Sequence, residues 1–173
     1  MRAGAVCYTS PDVPLRSTPV RRKRYMLPES LMSFDPGLTL PRSGSAAHDQ
    51  LVKASGLSLA EAKVYSDFVW DLESGNAPNH HLFGHAANIQ GDTQLEAQLV
   101  SNGLYCGNDG GYEDARAQQL AKGADDWMLL LQLDSDQEAG FMWGDVGMLY
   151  FWIRKQDLAQ RAFDRTWLIM QCC

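Results

Sequence analysis

The sequence predicts an α+β domain, with a mostly antiparallel mixed sheet packed against a few helices. Three observations carry this. A capped amphipathic pattern over about 59–73 reads as a helix. Three apolar segments, Trp127–Leu133, Gly147–Ile153 and Arg165–Cys172, read as strands of one sheet, the first two as a hairpin with a long loop. The chain has 173 residues, 45 % hydrophobic and 21 % charged, which is the size and composition of one ordinary globular domain.

Taken in order, Ala5-Val6-Cys7-Tyr8 reads as the tail of a strand that starts without a preceding turn. A Pro-rich stretch follows (Pro11, Pro14, Pro19). Short β-like segments are then expected at Arg24–Leu27 and Leu31–Leu40, confined to edges and turns by Pro28, Pro36 and Pro41. Residues 41–57 read as a polar linker. In the helix, Ser58 and Glu61 form a capping box, Leu59, Ala62, Tyr65, Phe68 or Val69, and Leu72 share a face, and Gly75 is the stop. Residues 76–93 are irregular. Helical periodicity returns at 94–101 and 112–121, and a short helical piece is expected at 155–162. Gly107, Gly110 and Gly111 read as a flexible loop, since neither a P-loop nor a dinucleotide fingerprint surrounds them. Leu129-Leu130-Leu131 and Leu149–Ile153 are near-continuous apolar runs, as expected of strands covered on both faces.

The formal charge of −6 argues against general nucleic-acid binding. Residues 1–50 hold seven Lys/Arg against four Asp/Glu, mostly through Arg21-Arg22-Lys23-Arg24; residues 51–173 hold eight against seventeen. No apolar run approaches the ~18 residues of a membrane span, and nothing at the N-terminus reads as a signal peptide. Cys7, Cys106, Cys172 and Cys173 lack metal-type spacing, and reduced thiols in a cytoplasm fit best.

Chemistry concentrates in two places. The first is His80-His81-Leu82-Phe83-Gly84-His85, with Asn88, Gln90 and Asp92 close behind. Imidazole and carboxylate suit a divalent ion such as zinc, and His81, His85 and Asp92 are the candidate ligands. The alternatives are a ligand-contact surface, or an ordered loop whose polar side chains satisfy its own backbone, with Asp92 or Thr93 capping the next helix. The second place is the acidic loop from Asp134, Asp136 and Glu138 to Asp145, with Trp143 placed to line a pocket. Its spacing resembles a calcium loop, but Ala139 stands where the turn demands Gly and Asp145 where Glu is needed. No nucleophile elbow or Cys–His pairing is present.

The order H-H-L-F-G-H-x-x-x-I-Q-G-D (80–92), D-W-x-L-L-L-Q-x-D-S-D (126–136) and W-G-D-x-G-x-L-Y-F-W-I (143–153), followed by Asp157-Leu158 and the closing Trp167–Cys172, resembles the YwqG-like family, a mainly bacterial domain of unknown function. The resemblance spans about residues 36–173. It implies an α+β protein without a settled activity. It also implies that this chain is the C-terminal part of such a domain, N-terminally truncated and leaving an exposed edge or apolar patch near 3–8 and 24–40.

Two functions compete. One is a non-catalytic binding module with no cofactor, whose partner is another protein (a basic toxin, by analogy) or a second copy meeting an exposed edge. Its candidate contact residues are His80, His81, His85, Asn88, Gln90, Asp92, Trp143 and Asp145. The other is a zinc-type hydrolase using His81, His85 and Asp92, with Asp145 as base.

Overall fold

The computed structural model describes residues 6, 12–14, 27, 30–75 and 77–172. The strand expected at Ala5–Tyr8, the segment Arg24–Leu27 and the basic run Arg21–Arg24 lie outside the described residues, Val6 and Leu27 apart, as do Cys7 and Cys173.

The described chain is an α+β fold. Helices α1 (Ala46–Ser55) and α2 (Leu59–Ser74) come first, then a two-residue strand β1 (His81–Leu82), α3 (Thr93–Ser101) and the short helices α4 (Gly110–Glu113) and α5 (Ala117–Ala121). A 3-10 turn at Ala124–Asp126 leads into β2 (Trp127–Asp134). β3 (Met148–Arg154), α6 (Lys155–Ala159), a second 3-10 turn (Phe163–Arg165) and β4 (Trp167–Gln171) complete it. The four strands form one sheet in the order β1-β2-β3-β4, antiparallel at every pairing. The three expected apolar segments therefore share a sheet, and β2–β3 is the expected long-looped hairpin. Among the described residues no helix is long and apolar enough to cross a membrane.

The core lies on one face. Trp127, Leu129, Met148, Tyr150, Trp152 and Ile169 face α3 and the 86–89 segment through Ala86, Ala87, Ala97 and Ile89. The opposite face is unevenly covered: Leu149 and Ile153 are buried, Leu131, Phe151 and Leu168 are half-buried, and Met170 is exposed. The run Leu129-Leu130-Leu131 thus has another origin than burial on both sides. Leu129 pairs with Trp152 and Leu131 with Phe151, so Leu130 is an extra residue, a β-bulge. Its carbonyl accepts the Phe83 N–H at 3.4 Å, continuing the β1 ladder.

Several expectations are corrected. Residues 41–57 are not a linker, because Ser45 caps α1 by accepting the His48 N–H, and Gly56 closes it at φ 64°. This helix buries only His48, so no apolar stripe announces it. Leu31–Leu40 is not β-like. It has no regular secondary structure, with Leu31 and Leu38 left 98 % and 76 % exposed. Among the described residues near 24–40, the exposed apolar side chains therefore lie on coil and not on a sheet edge. The 112–121 helix is two short ones, α4 and α5, broken at Asp114. Gly110 and Gly111 belong to α4 and are no flexible loop. Gly111 is buried against the Tyr105 carbonyl, where a Cβ would clash.

Candidate functional site

The His-rich segment is an irregular strap laid across the core face, and the sheet beneath it supplies its hydrogen bonds. From β2, Gln132 accepts the Ala87 N–H (2.9 Å) and donates to the Asn79 carbonyl (2.9 Å). From β3, the Tyr150 hydroxyl donates to the Ala87 carbonyl (2.8 Å). From β4, Gln171 accepts the N–H groups of Ile89 and Gln90 (2.9 Å each) and donates to the Gly91 carbonyl (3.2 Å). Register places all three on one face: Gln132 pairs with Tyr150, Tyr150 with Ile169, and Gln171 with Met148. Each strand therefore contributes one polar side chain to a backbone that no ladder satisfies.

The histidines have structural roles. His81 Nε2–H donates to the His85 carbonyl (3.2 Å), while Nδ1 faces Asn79 Oδ1 at 3.1 Å and Gln132 Nε2 at 3.4 Å. Burial holds its imidazole below the ordinary range, the hydrogen bond to His85 acts oppositely, and His80 adds a smaller downward push. His80 Nδ1 accepts the Asp134 N–H (2.9 Å), and its Nε2 lies 3.3 Å from Asp136 Oδ2. The Asp136 carboxyl is held down first by the Ala139 N–H and then by His80. His85 anchors by its backbone, donating to Thr39 Oγ1 (2.9 Å), and burial lowers the basicity of its ring.

The rest of the strap follows the same rule. Asn88 Oδ1 accepts from both Thr93 N (3.3 Å) and Thr93 Oγ1 (2.6 Å). Asp92 is the N-cap of α3, with Oδ1 accepting from Gln94 and Leu95, while its Oδ2 accepts the Ala46 N–H of α1 at 2.9 Å. One carboxylate thus caps one helix and receives the first turn of another.

This geometry ties most of the candidate residues to the protein's own backbone. Asp92 has both oxygens occupied, and His81 has both nitrogens engaged. Among the described residues no group of three His, Cys, Asp or Glu is placed to hold a metal ion. Gln90 and Asp145 are exposed. Trp143 lies in the hairpin loop, stacked on Phe141 (centroids 5.1 Å apart), whose ring is in turn 5.9 Å from that of His80, and it donates from Nε1 to the Asp134 carbonyl (3.1 Å). Cys106 is buried, and that burial pushes its thiol up, with Glu96 adding to the effect.

The strap divides two concavities. On one side His80 and His81 line a groove of about 720 Å³ with Phe34, Leu38, Leu72 and Phe83; on the other His85, Asn88 and Asp92 line a cavity of about 440 Å³ with Trp127 and Trp152. Gln132, Gln171 and Tyr150, which hold the strap, are absent from the sequence-based candidates. A signal was available: Gln132 and Gln171 are isolated amides on core-facing positions of otherwise apolar strands.

A search of curated proteins finds no match. The family described as Domain of unknown function (DUF1963) matches residues 13–172. The strap and the sheet that carries it lie wholly inside the match, and the chain belongs to this family.

Proposed function

We propose that the chain is a cytoplasmic, non-catalytic binding module of the YwqG-like type whose partner is another protein, with a basic, toxin-like protein as the best-fitting class. The observation that carries the reading is the 720 Å³ groove. Phe34, Leu38, Leu72, Leu82 and Phe83 line it, and all five are exposed. Exposed apolar side chains gathered in one concavity favour a protein contact. The charged side chains lining the groove are acidic, Asp35 and Glu73, with no Lys or Arg among them. That charge favours a basic partner. Burial pushes the Glu73 carboxyl up, opposed by Arg42 at 3.5 Å, so a cationic group entering the groove meets an acid already short of solvation. Most polar groups of the strap, meanwhile, hold backbone, which supports binding over catalysis.

The test is cross-linking in the native cell with wild type and the Phe34→Arg/Leu38→Arg variant. Both sites are exposed, so stability should move by no more than about 0.5 kcal/mol. Wild type should capture a basic protein in a salt-sensitive way, and the variant should lose it. An unchanged capture set, or turnover of ester, phosphoester or peptide by the purified chain that His81→Asn abolishes, refutes the proposal.

A further inference from the structure

The second concavity, of about 440 Å³, lies across the strap from the groove and holds a feature the binding-module reading leaves unused. Its walls are the first turns of α1 and α3, residues 84–88 of the strap, and the sheet at Trp127 and Trp152. Trp152 is buried, and its Nε1–H has no hydrogen-bond partner among the described residues. Buried indole N–H groups ordinarily find an acceptor. Trp127 and Trp143 do, donating to Gln98 Oε1 (2.9 Å) and the Asp134 carbonyl (3.1 Å). Trp152 is the exception, and it forms part of a cavity wall.

Other groups in the same wall share this surplus of donors. Asn88 is buried with its Oδ1 spent on Thr93, while its Nδ2 has no partner among the described residues. Lys155, at the start of α6, lines the cavity and makes no ion pair among the described residues. The acids do not balance these donors. Asp92 is occupied by three backbone N–H groups, its charge set against the N-termini of α1 and α3, and Asp125 is exposed at the rim. The remaining wall is mixed: Ser45, Gln50, His85 and Gln94 are polar, and Trp127, Met128 and Leu129 supply its apolar part. The volume falls within the range typical of small-ligand sites.

We propose that this cavity binds a small organic carboxylate, with the carboxylate accepting from Trp152 Nε1, Asn88 Nδ2 and Lys155 Nζ and the apolar body lying along Trp127 and Met128. The site is independent of the groove. A ligand here would supply the acceptor that Trp152 lacks.

The chain has five tryptophans, and each indole N–H gives its own nuclear magnetic resonance signal. The intact protein is titrated with phenylacetate, phenylacetamide and phenethylamine, with the Trp152 signal assigned by its loss in Trp152→Phe. Phenylacetate should move the Trp152 indole proton downfield and leave the Trp143 proton in place, whereas phenethylamine should move neither. Lys155→Gln, an exposed change that spares the core, should weaken phenylacetate about tenfold and leave phenylacetamide unaltered. A Trp152 proton indifferent to phenylacetate at millimolar concentration overturns the proposal, as does equal binding of the amine. Loss of partner capture in the groove variant with the titration intact would concern the groove alone.

Discussion

Helix α2 and strand β3 dispose of their apolar residues in opposite ways. The strand has seven residues and buries five of them, Met148, Leu149, Tyr150, Trp152 and Ile153. The helix has sixteen and buries only Val69, while Leu59, Val64, Phe68 and Trp70 are more than half exposed. Local terms therefore hold α2. The Ser58–Glu61 capping box closes its start, Lys63 pairs with Asp67 one turn on, and Arg42 lies over the Trp70 ring at 4.7 Å near its end. Burial holds β3. Residues 79–172 thus form a unit that satisfies most of its buried polar groups internally, with Trp152 Nε1 and Thr166 Oγ1 as exceptions, whereas residues 30–75 leave apolar surface unspent. Two polar contacts tie the second part to the first, Ala46 N–H to Asp92 and His85 N–H to Thr39.

Three changes break or sharpen this contrast. The largest effect is expected from Gln132→Leu, which leaves the Ala87 N–H and the Asn79 carbonyl without partners inside the core. Each buried orphan costs about 1–3 kcal/mol, so denaturant unfolding should show a loss of roughly 2–6 kcal/mol. A loss under about 1 kcal/mol would mean the sheet does not hold the strap. Asp92→Ala should cost less, about 1–2 kcal/mol for the cap. Its signature is local: amides of α1 should exchange faster while those of β2 and β3 keep their protection. Uniform protection loss would show that the two parts do not behave as separate units.

The smallest effect concerns pH. Burial lowers the folded-state pKa of His81 below its ordinary value of 6.5. As pH falls through 6.5 the unfolded chain takes up a proton that folded His81 refuses, so stability declines with acid. Glu73 and Glu96, raised by burial above 4.5, act in the opposite sense at lower pH. The comparison is therefore the slope of stability against pH between 7.5 and 6, which should flatten in His81→Asn whatever that change costs in absolute terms. An equal slope in both proteins contradicts the buried, neutral imidazole.

Much of the sheet was legible because strand periodicity and burial coincide there. The Ser58 capping box and the Asp92 cap were legible for a similar reason, since each is a local arrangement of few residues. The strap was legible only in kind. Its irregularity and its need for side-chain hydrogen bonds follow from residues 80–92, but the donors and acceptors are 40 to 80 positions away, and no local pattern links Ala87 to Gln132 or Ile89 to Gln171. Leu31–Leu40 failed for the opposite reason. Its apolar content fits a strand, but Pro36-Gly37 interrupts it and, among the described residues, no partner strand reaches it. Helix α1 was missed although Ser45 and Gly56 mark its ends, because a helix that buries a single histidine writes no stripe into the sequence.

The bulge at Leu130 bears on how this protein can change in length. Because Leu130 has no partner across the ladder, removing it would bring Leu129 and Leu131 into consecutive pairing and leave Gln132, Leu133 and Asp134 facing as they do now. A deletion away from the bulge would invert the side chains beyond it. Position 130 is thus where this strand can lose a residue without turning its core inside out, the cost falling on one carbonyl and the Phe83 N–H it serves.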